Sequence, residues 1–145
     1  MTKLLLMALG LTSATVAIHA FGTVHAVLPL SGIWARRAPS AEKPAAVIPL
    51  TRLVSGLLLL HLLEVSLWAG AFTVFDLLPD FETSMYFSLT SFTTVGYGDV
   101  VLTTPWRLIG PIEAAVGVLM LGWSTSFIVA GVQRIYSGRL ETPTM

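Results

Sequence analysis

Two groups of residues in this chain have types and spacings that could do chemistry. Residues 93–99 read Thr-Thr-Val-Gly-Tyr-Gly-Asp. Gly96 and Gly98 lack a Cβ and can take the positive-φ conformations that other residues avoid. Backbone conformations can therefore alternate along this strand and turn successive carbonyl oxygens toward one axis, while Val95 and Tyr97 project away from it. Carbonyl oxygens so arranged replace the water around a cation. The second group is ionisable. His61 and Glu64 stand three residues apart, on one helical face, and His19 and Glu113 are further titratable side chains in apolar surroundings.

The elements that position these residues must lie in a membrane. The chain has 145 residues, of which 54% are hydrophobic and 11% charged, with a mean hydropathy of +0.81 and no cysteine; soluble proteins carry roughly 25% charged residues. A bilayer span takes about 20 apolar residues, and three candidates nearly exhaust the chain: Leu4 to Ile33, Leu53 to Phe75 and Leu108 to Val132. The first begins like a cleavable signal peptide, with Lys3 before an apolar run. It continues past Gly22 to Leu30, longer than the roughly 7–15 residues of a signal core, without an obvious Ala-x-Ala site, and reads as a transmembrane helix.

Charge sets the expected orientation. Between the first and second spans lie Arg36, Arg37, Lys43 and Arg52 against Glu42, whereas the N-terminus offers only Lys3. The positive-inside rule places that loop in the cytoplasm and the N-terminus outside. Residues 76–105 then lie on the outer side, and Arg134 and Arg139 end inside, giving a cytoplasmic C-terminus. The outer segment is acidic, with Asp76, Asp80, Glu82 and Asp99, a distribution that raises the local cation concentration; polar loops alone would account for part of it.

Within the outer segment, Asp80 is a plausible N-cap after Pro79. The helix it starts, residues 81–92, is about 18 Å long at 1.5 Å per residue, too short to cross. Non-helical backbone at membrane depth is tolerated only where it is buried in protein or lines a watery cavity. The expected fold is therefore an all-α membrane protein, with three transmembrane helices and a re-entrant helix between the second and third.

Thr94 to Gly98, Thr-Val-Gly-Tyr-Gly, matches the pentapeptide of potassium-channel selectivity filters without a substitution. The chain resembles the potassium channel family, and in particular the small bacterial channels with two transmembrane helices around one pore loop. The resemblance covers residues 51–136 and implies an outer helix over 51–76, a pore helix over 81–92, a filter over 94–98 and an inner helix over 106–134. Residues 1–33 add an N-terminal transmembrane helix, 34–50 a basic cytoplasmic linker and 137–145 a short cytoplasmic tail.

The resemblance implies K+ held at Thr94, Val95, Gly96 and Tyr97, with Thr94 forming the innermost site through its hydroxyl and Asp99 helping to hold the outer mouth. One loop encloses nothing, so a homotetramer in membrane lipid is implied. The location implied is the inner or plasma membrane of the cell. Potassium is the permeant ion and no cofactor is expected. Trp106 and Arg107 resemble the Trp-Gly-Arg that starts the inner helix in relatives, one residue shorter. With that gap, Gly117 falls at the family's hinge glycine, and Leu121 and Thr125 fall on the cavity-lining face. Close helix packing is the other use membrane helices make of glycine.

Departures from the family lie behind the filter. Thr90 stands where the best-studied relatives carry a glutamate bonded to the aspartate after the filter, and Tyr86 and Phe87 replace a pair of tryptophans. Slow inactivation is not carried over for that reason. No helix carries arginine at every third position, so no standard voltage sensor is expected. Control is expected in the filter, in lipid or tension, or in the ionisable group.

Intramembrane ionisable residues point to function by default. His19 reaches a depth similar to His61 and Glu64, so a His19, His61 and Glu64 cluster could hold the extra helix against the pore domain. The cluster reads either as packing or as a proton-sensitive element, and Glu113 could face the cavity or the pore helix. A metalloenzyme is disfavoured because His61 and Glu64 have no third ligand nearby in sequence. No phosphate loop, nucleophile elbow or cysteine motif occurs, so neither an enzyme nor a nucleic-acid partner is expected. A non-conducting subunit that modifies another channel is the alternative function.

Overall fold

The computed structural model of the chain describes residues 1–36 and 43–140, with side chains over residues 1–25 and 48–133. Four helices follow in order: α1 Thr2–Arg36, α2 Lys43–Val74, α3 Phe81–Phe92 and α4 Ile109–Leu140. Three of them contain segments long and apolar enough to cross a membrane, Thr2–His25, Ile48–Val74 and Ile109–Gln133. The short α3 packs against both α2 and α4, and α1 packs against the same two helices. No β-sheet is present among the described residues.

The short helix expected over residues 81–92 is found at those residues as α3, and its start is capped as the sequence suggests. The Thr83 amide donates to Asp80 Oδ1 at 2.7 Å, and the Thr83 hydroxyl donates to Asp80 Oδ2 at 3.0 Å. These bonds, the amide first, hold the Asp80 carboxyl below its ordinary pKa. A carboxylate depressed on folding stabilises the fold above its unfolded pKa, and the contribution is lost as pH falls through the folded value. Asp80→Ala is expected to lower the thermal midpoint at neutral pH and to narrow the loss of stability on acidification, while Asp80→Asn keeps most of the cap; circular dichroism melts at two pH values check both.

The preceding helix ends differently from the expectation. α2 stops at Val74 rather than at residue 76. Asp76 adopts a left-handed conformation, φ +52°, the Asp76 amide donates to Thr73 O at 3.1 Å, and the Leu77 amide donates to Phe72 O at 2.8 Å. This pair of bonds is a Schellman stop. It satisfies carbonyls that a helix end otherwise leaves open and turns Leu77 back onto the core.

Other boundaries also shift. α1 runs to Arg36 rather than 33, and α2 begins at Lys43 rather than 51. Pro49 lies inside α2, where it removes one backbone donor without ending the helix, so a basic stretch containing proline reads as linker when it is largely helix. α4 begins at Ile109, not at 106. Trp106 and Arg107 lie in a tight turn closed by the Trp106 amide on Thr103 O at 2.8 Å and the Ile109 amide on Trp106 O at 2.9 Å. Pro111 then falls in the first turn of α4, where a missing amide costs nothing. Arg37 and Glu42 of the expected linker, residues 141–145 of the tail, and the side chains of Arg36, Lys43, Arg134 and Arg139 lie outside the described residues.

The core is built on α3. Phe87 meets Phe72 edge-on at 5.4 Å, and Trp68, Phe72, Phe92, Ile109 and Val116 are buried around it. The polar face of α3 is satisfied by its neighbours. The Thr73 hydroxyl donates to Ser84 Oγ at 3.0 Å, Ser84 Oγ donates to Asp80 O at 2.8 Å, and Ser88 Oγ donates to Val65 O at 3.0 Å. In a membrane each unmet polar group is costly, so these bonds fix the rotation of α3 about its own axis.

Candidate functional site

The strand that follows α3 has the alternation expected of it. Thr94, Gly96 and Gly98 have φ of +63°, +52° and +79°, so every second residue from 94 to 98 is left-handed. The turn into the strand is held by the Thr93 amide on Leu89 O at 3.1 Å, the Thr94 amide on Ser91 O at 2.9 Å and the Gly96 amide on Thr90 O at 3.0 Å. These bonds run from the strand back to the last turn of α3. Thr94 is not glycine, and an L-residue in this conformation costs roughly 1–2 kcal/mol, a strain maintained by the surrounding bonds. Val95 and Tyr97 are exposed on one chain.

Asp99 is held by Tyr86, whose hydroxyl donates to Asp99 Oδ2 at 2.7 Å. Thr90 turns instead to its own helix and donates to Phe87 O at 3.0 Å. The link between the pore helix and the residue after the strand is therefore made by Tyr86. That bond is the main reason the Asp99 carboxyl lies below, and the Tyr86 phenol above, its ordinary pKa. Tyr86→Phe is expected to raise the Asp99 pKa toward the usual carboxylate range. The depressed value stabilises the fold above the unfolded pKa and is lost as pH falls through the folded one, so the variant also loses less stability on acidification. Carboxyl chemical shifts followed against pH, with melts in parallel, test this.

Behind the strand lies a cavity of about 360 Å³, lined by Thr90, Ser91 and Thr94 on one side and by Gly110, Pro111 and Ala114 of α4 on the other. Glu113 is fully buried and bonds Ser88 on α3; it faces the pore helix, and its Oε2 has no partner among the described residues. Gly117 lies against the end of α3, where a Cβ would fall 2.0 Å from Phe92 O. Leu121 is half-buried and Thr125 exposed, its hydroxyl donating to Leu121 O at 2.8 Å.

The structure brings His19, His61 and Glu64 together. Glu64 is fully buried and accepts from His19 Nδ1 at 2.7 Å through Oε1 and from His61 Nδ1 at 3.0 Å through Oε2. The imidazoles stack with centroids 5.4 Å apart. One turn along α1, the Trp68 indole donates to Thr15 Oγ1 at 2.9 Å. Sequence reasoning missed this second tie, and it missed Ser88 as the partner of Glu113. Hydroxyls and indoles are common in apolar spans, and nothing in their spacing singles these out.

Comparison with known proteins decides the family. The family described as ion channel matches residues 60–134, just over half of the chain, from the middle of α2 through the re-entrant segment to α4. A stretch of 48 residues is 48% identical to TWiK family of potassium channels protein 18 of Caenorhabditis elegans, covering 33% of this chain and 10% of that relative. The chain belongs to the potassium channel family. This channel is a multi-pass membrane protein with three helices long and apolar enough to cross a membrane, and the 48 matched residues span only 10% of that curated relative's length. No solved structure matches it. Helix α1 lies outside the family match and is an addition to the channel.

Proposed function

We propose that this channel conducts potassium passively and selectively as a homotetramer, each chain supplying one wall of a carbonyl-lined filter at Thr94, Val95, Gly96, Tyr97 and Gly98. The observation that carries the reading is the left-handed backbone at every second residue of that strand, which turns consecutive carbonyls to one side. Four copies complete each ring of oxygens, and ions move by repulsion between neighbouring sites. The C-terminal end of α3 carries the negative end of its dipole and stabilises a cation beneath the filter. Asp99, tied to Tyr86, holds the outer mouth, and Leu121 and Thr125 line the inner cavity. The N-terminus lies outside and the C-terminus in the cytoplasm. No reaction is catalysed.

The close approach of Gly117 to Phe92 supports packing at this position. In this reading a hinge there would be coupled to the pore helix rather than to the inner helix alone.

The test is flux of potassium into liposomes holding only this purified protein, with sodium as the comparison ion and barium as blocker. Selective, barium-sensitive flux is expected. A reconstituted tetramer that passes no potassium would establish the alternative, a non-conducting subunit that acts within another channel.

A further inference from the structure

We propose that His19, His61 and Glu64 form a binding site for a divalent transition-metal cation of the zinc class, placed between α1 and α2 behind the pore helix. One nitrogen from each imidazole and one carboxylate oxygen lie within 4.8 Å of one another. A tetrahedral zinc site has bonds of about 2.0–2.2 Å to such atoms, which sets its ligands about 3.3–3.4 Å apart. The 2.7 Å His19–Glu64 and 3.0 Å His61–Glu64 separations run to the two different carboxylate oxygens, and with all three ligand atoms already within 4.8 Å, side-chain torsions bring one oxygen and both nitrogens to that spacing. Two histidines and a glutamate with a fourth position open is a known zinc ligand set. Cysteine is absent from the chain, so the site favours the metals that suit imidazole and carboxylate over those that require thiolate.

Charge argues in the same direction. Glu64 is fully buried, and no lysine or arginine pairs with it among the described residues. A buried carboxylate is costly unless it is paired or coordinates a metal, and a divalent cation held by Glu64 and the two imidazoles meets that need. The groups facing the cluster from the other packed helices are Ser124, whose Oγ lies 3.5 Å from His19 Nε2, and the rings of Trp123 and Phe92, at 5.2 Å from His19 and 6.0 Å from His61. None of these is a competing cation. The Ser124 contact and the Trp123 ring fix the His19 imidazole from outside, the role that outer partners play at metal sites. His61 Nε2 has no partner among the described residues, so turning that ring to offer its second nitrogen to a metal gives up only the Nδ1 bond to Glu64.

The third ligand comes from α1, outside the family match, and a metal here would fasten that helix to the pore domain beside Phe92, the last residue of the pore helix. Full-chain protein in detergent, stripped with EDTA, is titrated with Co2+ and followed by the visible absorption of tetrahedral cobalt, then back-titrated with Zn2+. One cobalt per chain, displaced by zinc, is expected, with affinity lowered at least about tenfold by His19→Ala and by His61→Ala. His25→Ala should leave it unchanged, because that imidazole bonds Phe21 O on its own helix. His61 is only partly buried, so His61→Ala carries the test if the buried His19 variant misfolds. No cobalt band, a band that survives His61→Ala, or one lost with His25→Ala overturns the site. The readout is binding, so failure of potassium flux would leave it standing.

Discussion

Replacing Gly117 with alanine is expected to push the pore helix out of place. The added Cβ would sit 2.0 Å from Phe92 O, 2.8 Å from its carbonyl carbon and 3.0 Å from its Cα. All three are backbone atoms, so no rotamer change relieves the clash. Overfilling a packed site costs typically 1–3 kcal/mol, and a collision with main chain belongs at or above the upper end, roughly 3 kcal/mol. The carbonyl that would have to retreat belongs to the residue just before the turn into the filter strand, so filter geometry moves with it. Thermal melts in detergent should show a large drop in midpoint, and liposome flux should lose potassium selectivity or disappear. Gly10→Ala is the matched control. Nothing lies within 4 Å of its would-be Cβ, and an exposed helical glycine replaced by alanine gains roughly 0.5–1 kcal/mol. A Gly117→Ala protein as stable as wild type would mean that α3 and α4 are not in backbone contact.

Gly96→Ala and Gly98→Ala are expected to abolish selective conduction while leaving the protein in the membrane. At φ of +52° and +79° an alanine is held in a conformation that costs about 1–2 kcal/mol. Thr94 shows that one such residue is tolerated in the strand of each chain. In the proposed tetramer, however, four copies share one axis, and the cost at a ring reaches roughly 4–8 kcal/mol. The strand relieves it by turning its carbonyls away, which removes the ligands without disturbing helices α1 to α4. The pattern expected is therefore normal melting with lost potassium-over-sodium discrimination. Retained discrimination in either variant would refute the carbonyl filter.

The legible parts of the fold are those set by local chemistry. The pore helix was readable at both ends because Asp80 is a cap and the residues after Phe92 include two glycines, and both signals act within a few residues. The spans were readable from hydropathy alone. The end of α2 was not, because Asp76 in a left-handed conformation is an uncommon choice for a Schellman stop, where glycine is the usual signal. The start of α4 was misread because Trp106 and Arg107 resemble a helix start, and the tight turn they occupy depends on bonds to Thr103 and Ile109. At the site, His19, His61 and Glu64 could be gathered because ionisable residues are scarce in the spans. The side to which Glu113 turns could not, since it depends on the rotation of α4 about its own axis. Tyr86 was visible only as a departure; that its hydroxyl reaches Asp99 follows from the placement of the strand.

The ties between α1 and α2 also bear on how the chain is made. Synthesis proceeds from the N-terminus, so α1 reaches the bilayer before α2 has emerged, and it carries Thr15 and His19 as half-finished pairs. The most demanding residue of α2 to bring into lipid is Glu64, for a charged side chain at mid-span costs on the order of 2.5–3.5 kcal/mol by insertion scales. His19 is already at that depth when Glu64 arrives, and Thr15 awaits Trp68 one turn away. The helix that lies outside the family match thus carries, at the depth where Glu64 and Trp68 settle, the two side chains they bond.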